Sequence, residues 1–119
     1  MVGVDIAEIA RIKKAVKSDA FVSRVFTASE RAYCEGKPCR ETSYAGIFCA
    51  KEAAAKALGC GFSGGVAPTD FEVVHDGNGA PALRVSGVAA SLAENCEINL
   101  SISHDGAYAV AMVEIIKSR

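Results

Sequence analysis

An alanine-rich segment, residues 41–58, restricts the possible fold more than any other part of this chain. Its alanines at positions 50, 53, 54, 55 and 57 favour a helix and let neighbouring backbones approach closely. Gly59 and Gly61 follow, and a glycine can take the left-handed conformation in which many helices end. From Phe48 onward the segment is mostly apolar, with one acid and two lysines. We therefore expect a long, largely buried helix that carries a small polar site.

The rest of the chain predicts antiparallel strands and shorter helices. Residues 98–103 alternate apolar and polar side chains, which is the period of a strand with two unlike faces. The Asp105-Gly106 turn leads into a final apolar strand at 108–116. The other predicted elements are strands at 1–5, 71–75 and 82–85, a hairpin turn at 76–79, and helices at 6–17, 21–26, 27–36 and 88–94. This order predicts an α+β fold, an antiparallel sheet packed against one long helix and several shorter ones.

Length and charge limit the class of protein. At 119 residues the chain predicts one domain, 1–119, and its net charge of −1 argues against a general nucleic-acid binder. It contains no apolar run long enough to span a bilayer, and acids interrupt the start where a signal peptide would be apolar. The five cysteines are odd in number and scattered, so we expect reduced thiols, a buried Cys49 and a cytoplasmic protein.

Asp5 follows a short apolar strand, VGV, and has two possible roles. At the rim of a sheet its carboxylate could bind a hard cation such as Mg²⁺, which prefers one or two carboxylates together with phosphate oxygens. Asp5 also begins a D-x-x-E pattern with Glu8, which is typical of a helix N-terminus with a capping box. The sequence alone leaves both interpretations open.

Glu52 and Lys56 lie four residues apart, and therefore on one face of the predicted helix. They could form an exposed salt bridge that supports the helix slightly. The apolar surroundings favour a polar site instead, and we expect Lys51, which projects about 100° away from Glu52, to be solvated.

His104 ends a predicted strand whose polar face leads up to it, so a structural and a functional role are equally open. For His75, beside the DGNG turn, we expect only a structural role.

Arg11, Lys13, Lys14 and Lys17 form a basic run without an acid. Such a run is usually a solvated helix face. On a nearly neutral protein it could also dock an acidic partner, with Arg11 and Lys14 three residues apart on one face.

Four segments together resemble the holo-[acyl-carrier-protein] synthase family, the small 4′-phosphopantetheinyl transferases. They are VGVDIAEIARI, FTASERAYC, FCAKEAAAKALG and SISHDGAYAVA, and they span nearly the whole chain. The resemblance implies the corresponding fold and a reaction in fatty acid biosynthesis. In that reaction the phosphopantetheine arm of coenzyme A moves to a serine of apo acyl carrier protein, and adenosine 3′,5′-bisphosphate is released.

The resemblance also implies roles for individual residues. Asp5 and Glu52 would hold Mg²⁺, Lys56 would lie beside the phosphates, and His104 would line the coenzyme A site. Glu52, directly or through a metal-bound water, is the candidate base, and Lys56 would stabilise or protonate the leaving phosphate. Acyl carrier proteins are acidic, which gives Arg11 and Lys14 a docking role. The implied assembly is a homotrimer with active sites between subunits.

Two positions depart from the family pattern, and two other classes of function remain as alternatives. Ile47 stands where arginine is frequent, and Cys60 where threonine is common, so contacts to the ligand are expected to differ. The alternatives are a non-catalytic coenzyme A or nucleotide-binding module, and a small protein that docks an acidic partner. The presence of Asp5, Glu52 and Lys56 together argues against a lapsed enzyme.

Overall fold

The structure, a computed structural model, describes residues 1–118. The core of the protein lies between one long helix and an antiparallel sheet. Helix α4 (Arg40–Leu58) packs on a three-stranded sheet formed by the first, fifth and fourth strands, in that order. A separate hairpin joins the second and third strands in a two-stranded sheet. The strands are β1 (Val2–Glu8), β2 (Phe71–His75), β3 (Pro81–Val85), β4 (Cys96–Asp105) and β5 (Tyr108–Lys117), and the shorter helices are α1 (Ile9–Ala15), α2 (Asp19–Val25), α3 (Ala28–Glu35), a 3-10 turn (Pro68–Asp70) and α5 (Gly87–Leu92).

The α+β prediction is confirmed, and the long helix matches its predicted span to within one residue. Gly59 ends α4 with a φ of 75°, the left-handed conformation expected from its position. Thr27 caps α3 in a reciprocal capping box with Glu30. Cys49 is fully buried on α4, where burial raises the pKa of its thiol to about 12, and all five cysteines are free.

The first strand differs from the prediction. It continues through Ile6 and Ala7 to Glu8, and the helix expected at 6–17 begins only at Ile9. The cause is tertiary, because β5 provides backbone partners as far as Glu8, which pairs with Tyr108. Asp5 therefore lies inside a strand and caps no helix, so the capping-box interpretation of Asp5 and Glu8 is wrong.

Small residues let β1 and α4 come into direct backbone contact. Gly3 is buried against α4, and a Cβ at this position would overlap the carbonyl oxygen of Ala53 and lie 2.7 Å from the nitrogen of Ala57. Only glycine on the strand and alanine on the helix permit this approach. The contact sets the distance between every side chain on the inner face of β1 and the facing side of α4.

The two faces of the three-stranded sheet have different surroundings. The inner face, with Val113 and Ile115, packs on α4 and is buried. The outer face is solvent-exposed in the single chain although much of it is apolar; Ile6 is 64% exposed and Met112 51%. The exposed apolar residues of this outer face are Val2, Val4, Ile6, Tyr108, Met112 and Ile116.

None of the helices within residues 1–118 combines the length and apolar character needed to cross a membrane.

We predict that Gly3→Ala lowers the free energy of unfolding by about 1–3 kcal/mol, because the new methyl group must push β1 away from α4. The matched control is Gly36→Ala, whose Cβ would lie 3.4 Å from its nearest neighbour and whose φ is −83°. We expect Gly36→Ala to change stability by less than about 0.5 kcal/mol. Urea unfolding of both variants measures the difference, and equal midpoints would contradict the packing argument.

Candidate active site

The contact at Gly3 brings Asp5 to α4. Asp5 lies two residues further along β1, on the same inner face of the strand. Lys56 Nζ donates hydrogen bonds to Asp5 Oδ1 at 2.9 Å and to the carbonyl oxygen of Val4 at 3.1 Å. The hydrogen bond that Lys56 donates to Asp5 raises the pKa of Lys56, so the ammonium is charged at neutral pH. Lys56 thus pairs with an acid from a distant strand rather than with Glu52.

Glu52 lies one helical turn before Lys56 and is half-buried. Within residues 1–118 its carboxylate has no hydrogen-bond or ion-pair partner. Burial raises the pKa of Glu52, and the negative charge of Asp5 raises it further, while Lys56 opposes the shift. The exposed Glu52–Lys56 salt bridge considered from the spacing is therefore absent. Two neighbouring carboxylates lie near one ammonium, which pairs with Asp5 alone, and this leaves local negative charge that a cation would neutralise.

Asp5 and Glu52 line one cavity of about 360 Å³, which we call the carboxylate cavity. Phe21 and Phe48 form apolar parts of its wall, and Arg11 of α1 completes the rim. The predicted site residues Asp5, Glu52 and Arg11 are thus brought together, with Lys56 bound to Asp5. Lys14 is exposed on the same helix as Arg11 but does not line the cavity.

A second cavity, of about 480 Å³, adjoins the first and shares Phe21, Phe48 and Glu52 with it. We call it the apolar cavity. Its remaining wall comes from Lys51 of α4, from α2 and from the loop after α4, including Phe62 and the 66–68 segment. The site therefore combines an anionic end with an apolar extension.

His104 lines a third cavity of about 320 Å³, the histidine cavity, which shares no residue with the carboxylate cavity. His75 and Tyr33 form another wall, with parallel rings 3.8 Å apart. Burial lowers the pKa of His75, and the nearby Lys37 lowers it further. The sequence does not predict that His75 and His104 line one cavity, because they lie on different strands. The stack of His75 on Tyr33 is likewise a contact between separate elements. Ile47, where the family pattern has arginine, lines this cavity and is buried.

The prediction that Lys51 is solvated is wrong. Lys51 is 1% exposed, and its Nζ lies 2.7 Å from Oε1 of the equally buried Glu30. Spacing along α4 correctly separated Lys51 from Glu52 but could not reveal an acid on α3. A buried lysine requires such a partner.

A metal ion at this site would have few protein donors. Among residues 1–118, no three His, Cys, Asp or Glu side chains gather closely enough to enclose an ion on their own. Asp5 and Glu52 provide two carboxylates in one cavity, which suits Mg²⁺ when a substrate provides phosphate oxygens and water completes the shell. The residues fit a cation that is shared with a phosphorylated ligand.

The model of the 4′-phosphopantetheinyl transferase superfamily matches residues 1–113. The chain belongs to this superfamily. Among named relatives, the holo-[acyl-carrier-protein] synthase of Anaeromyxobacter dehalogenans is 44% identical, with 93% of this chain and 91% of the relative covered. The synthase of Koribacter versatilis is 40% identical, with 93% of each chain covered. These relatives place the chain among the holo-[acyl-carrier-protein] synthases, as its motifs indicated.

Solved structures of the family share the fold. The Helicobacter pylori holo-[acyl-carrier-protein] synthase in complex with coenzyme A gives a TM-score of 0.86 at 34% identity, and the match covers 97% of this chain and 99% of that one. The Bacillus anthracis synthase in complex with coenzyme A (3′,5′-ADP) gives 0.84 at 37% identity, with 98% and 96% covered. The predicted family and fold are confirmed.

We predict that Glu52→Gln stabilises the ligand-free protein, increasingly so as the pH rises from 4 toward 7. Folding raises the pKa of Glu52, so the folded protein loses stability as this carboxyl group ionises. The glutamine amide of the variant does not ionise and avoids that loss. Glu72→Gln is the control of opposite sign, because hydrogen bonds from Thr27 and Ser29 lower the pKa of Glu72. Thermal unfolding at several pH values measures both, and a Glu52→Gln variant less stable than the parent at pH 7 would contradict the unpaired carboxylate.

Proposed function

We propose that this protein transfers the 4′-phosphopantetheine group of coenzyme A to a serine of apo acyl carrier protein. The observation that carries the proposal is that Asp5 and Glu52 line one cavity while Lys56 is paired with Asp5, in a chain of this family. We further propose fatty acid biosynthesis and the cytoplasm as its setting; the family resemblance supports the pathway and the free cysteines are compatible with that location.

Asp5 and Glu52 would hold Mg²⁺ together with oxygens of the coenzyme A pyrophosphate. When bound, the ion neutralises charge on the pyrophosphate. Lys56 is already charged and held above Asp5, so it can turn its ammonium to a phosphate oxygen and stabilise the leaving group. The hydrogen bond from Lys56 Nζ to the carbonyl oxygen of Val4 holds the ammonium beside Asp5 until a ligand binds.

Glu52 is the proposed base for the serine. It takes the hydroxyl proton while the serine oxygen forms a bond to the β-phosphorus, and the bond from that phosphorus to the bridging oxygen breaks. Adenosine 3′,5′-bisphosphate leaves with the bridging oxygen. A positioned carboxylate can accept the hydroxyl proton, and within residues 1–118 no partner occupies the Glu52 oxygens. Phe21 and Phe48 reduce the access of water to the reacting groups.

His104 contributes to a complete site only if a second copy of the chain provides it. It lines a different cavity from Asp5 and Glu52, and the outer face of the sheet is apolar and exposed. We propose a homotrimer in which these outer faces meet and His104 of one copy lies beside the carboxylates of the next. The apolar area explains why such an assembly would form.

We predict that Met112→Glu converts the assembly to monomers, because the charge would be buried in the middle of the subunit interface. Sedimentation velocity measures the mass, and transfer should be lost although circular dichroism remains that of the folded chain. Ala82→Glu, on the exposed side of the other sheet, is the control and should keep both assembly and transfer. A Met112→Glu monomer with full transfer would contradict a shared site.

Arg11 and Lys14 are proposed to dock the acidic carrier. Both are exposed on α1, and Arg11 stands at the rim of the carboxylate cavity, where the carrier serine must arrive. Opposite charges increase the rate of encounter and lose this effect as salt rises. The Michaelis constant for the carrier should therefore rise with salt more steeply than that for coenzyme A, and equal salt dependence would remove the docking role.

The two alternative functions make different use of the same residues. A coenzyme A or nucleotide-binding module needs the histidine cavity but no carboxylates, and a docking protein needs only the basic helix. Neither accounts for a half-buried, unpaired Glu52 next to Asp5.

The deciding experiment combines the protein with coenzyme A, Mg²⁺ and apo acyl carrier protein, and follows the mass of the carrier. We expect a gain of the phosphopantetheine arm, which chelation of the metal prevents. Asp5→Asn and Glu52→Gln should each reduce transfer at least about 100-fold while the fold survives, because each removes a charged ligand at the reacting phosphate. Glu94→Gln, which changes an exposed acid in the turn between α5 and β4, is the matched control. No mass gain by the unmodified protein would remove the proposed function.

A further inference from the structure

Lys51 and Glu30 form a buried ion pair immediately beside the proposed base. Both residues are 1% exposed, and Nζ lies 2.7 Å from Oε1. Removing two charges from water is costly, and apolar residues of similar volume often give equal or better stability in such positions. A contribution to stability alone therefore does not explain why the chain keeps a charged pair here.

All three donors of the Lys51 ammonium are used. Besides Glu30 Oε1, Nζ donates to the carbonyl oxygens of Phe71 at 2.6 Å and Pro68 at 3.1 Å. An ammonium has three N–H groups and no acceptor, so this set is complete. Lys51 consequently ties α4 to both ends of the 68–71 segment.

Glu30 completes the network from the other side. Its Oε1 accepts a hydrogen bond from the backbone nitrogen of Thr27 at 2.9 Å, and its Oε2 accepts one from the backbone nitrogen of Val73 at 2.7 Å. Each carboxylate oxygen is thus fixed by backbone that precedes α3 or belongs to β2. The pair joins four separate parts of the chain: the start of α3, the middle of α4, the 3-10 turn and β2.

The parts that the pair joins include a wall of the proposed site. Val66, Ala67 and Pro68 line the apolar cavity opposite Phe48 and Glu52. Lys51 directly precedes Glu52 on α4, so the same residue that fixes the Pro68 carbonyl also fixes the helix position next to Glu52. No other side chain of residues 1–118 forms a hydrogen bond to the carbonyl oxygen of Pro68 or Phe71.

We propose that Lys51 and Glu30 are positioning residues for transfer, which hold the 66–71 wall at a fixed distance from Glu52. The inference rests on the proposed function. Lys51 borders the apolar cavity but is only 1% exposed, and its ammonium is fully bonded within the protein. It does not line the carboxylate cavity, so its effect passes through the placement of Glu52 and the wall. A displacement of about 1 Å at a reacting group can reduce a rate about 100-fold.

The test compares Lys51→Met, Glu30→Gln and the double variant Glu30→Gln/Lys51→Met. Lys51→Met alone leaves a buried carboxylate without its cation and should lower the thermal midpoint. The double variant removes both charges and should recover much of that loss. In the double variant, assayed at a temperature where it is fully folded, we expect kcat to fall about 10- to 100-fold while the Michaelis constant for coenzyme A stays within about two-fold.

Val113→Ala is the matched control, because it removes buried apolar volume on β5 away from both cavities. It should lower the thermal midpoint and leave kcat unchanged. A folded double variant with the kcat of the unmodified protein, or with no more loss than Val113→Ala, would overturn the positioning role. If the unmodified protein itself transfers nothing, the proposed function fails instead, so the two failures are distinct.

Hydrogen exchange decides the matter if the double variant does not fold. In the unmodified, ligand-free protein, the backbone amide of Val73 donates a hydrogen bond to Glu30. This amide should exchange only through global unfolding, as expected for a wall that is fixed before the substrate binds. Exchange of Val73 through a low-energy local opening would overturn the proposal.

Discussion

Direct backbone contact between β1 and α4 is the constraint on which the proposed site depends. Gly3 lies against Ala53 and Ala57, where no larger residue fits. The contact positions Asp5 for Lys56 and brings its charge near Glu52. The helix alone provides an acid and a lysine with ordinary helical spacing, and only the strand converts them into a site with two carboxylates and one ammonium.

The site is assembled against the ordinary preferences of its groups. Glu52 is partly buried without a partner, and Lys51, one residue before it, is buried with a full set of partners. One carboxylate is left available while its neighbour on the helix is tied to the surrounding chain. This contrast is consistent with a base that must move a proton and a frame that must not move. Folding stability is given up at Glu52 and is maintained by the Gly3 contact and the apolar core.

The sequence predicted much of the fold because periodicity and turns are local signals. The alternation in β4, the DGNG hairpin and the alanine-rich α4 each needed only neighbouring residues. The spacing of Ile6 from Ile9 suits a helix, whereas pairing with β5 extends the strand and leaves Ile6 on the exposed outer face. The prediction of a solvated Lys51 fails for a related reason, since its partner Glu30 lies on another helix. The stack of His75 on Tyr33 likewise depends on contacts that no local pattern records.

The separation of His104 from the carboxylates has a genetic consequence if the site forms between copies. A subunit without Asp5 could still lend its intact histidine to a neighbour, and a subunit without His104 could still offer its acids. Mixing the two defective chains would then create some interfaces with every component present. Inactive alleles of these two kinds would complement each other within one oligomer, whereas two alleles that both damage the acids would not.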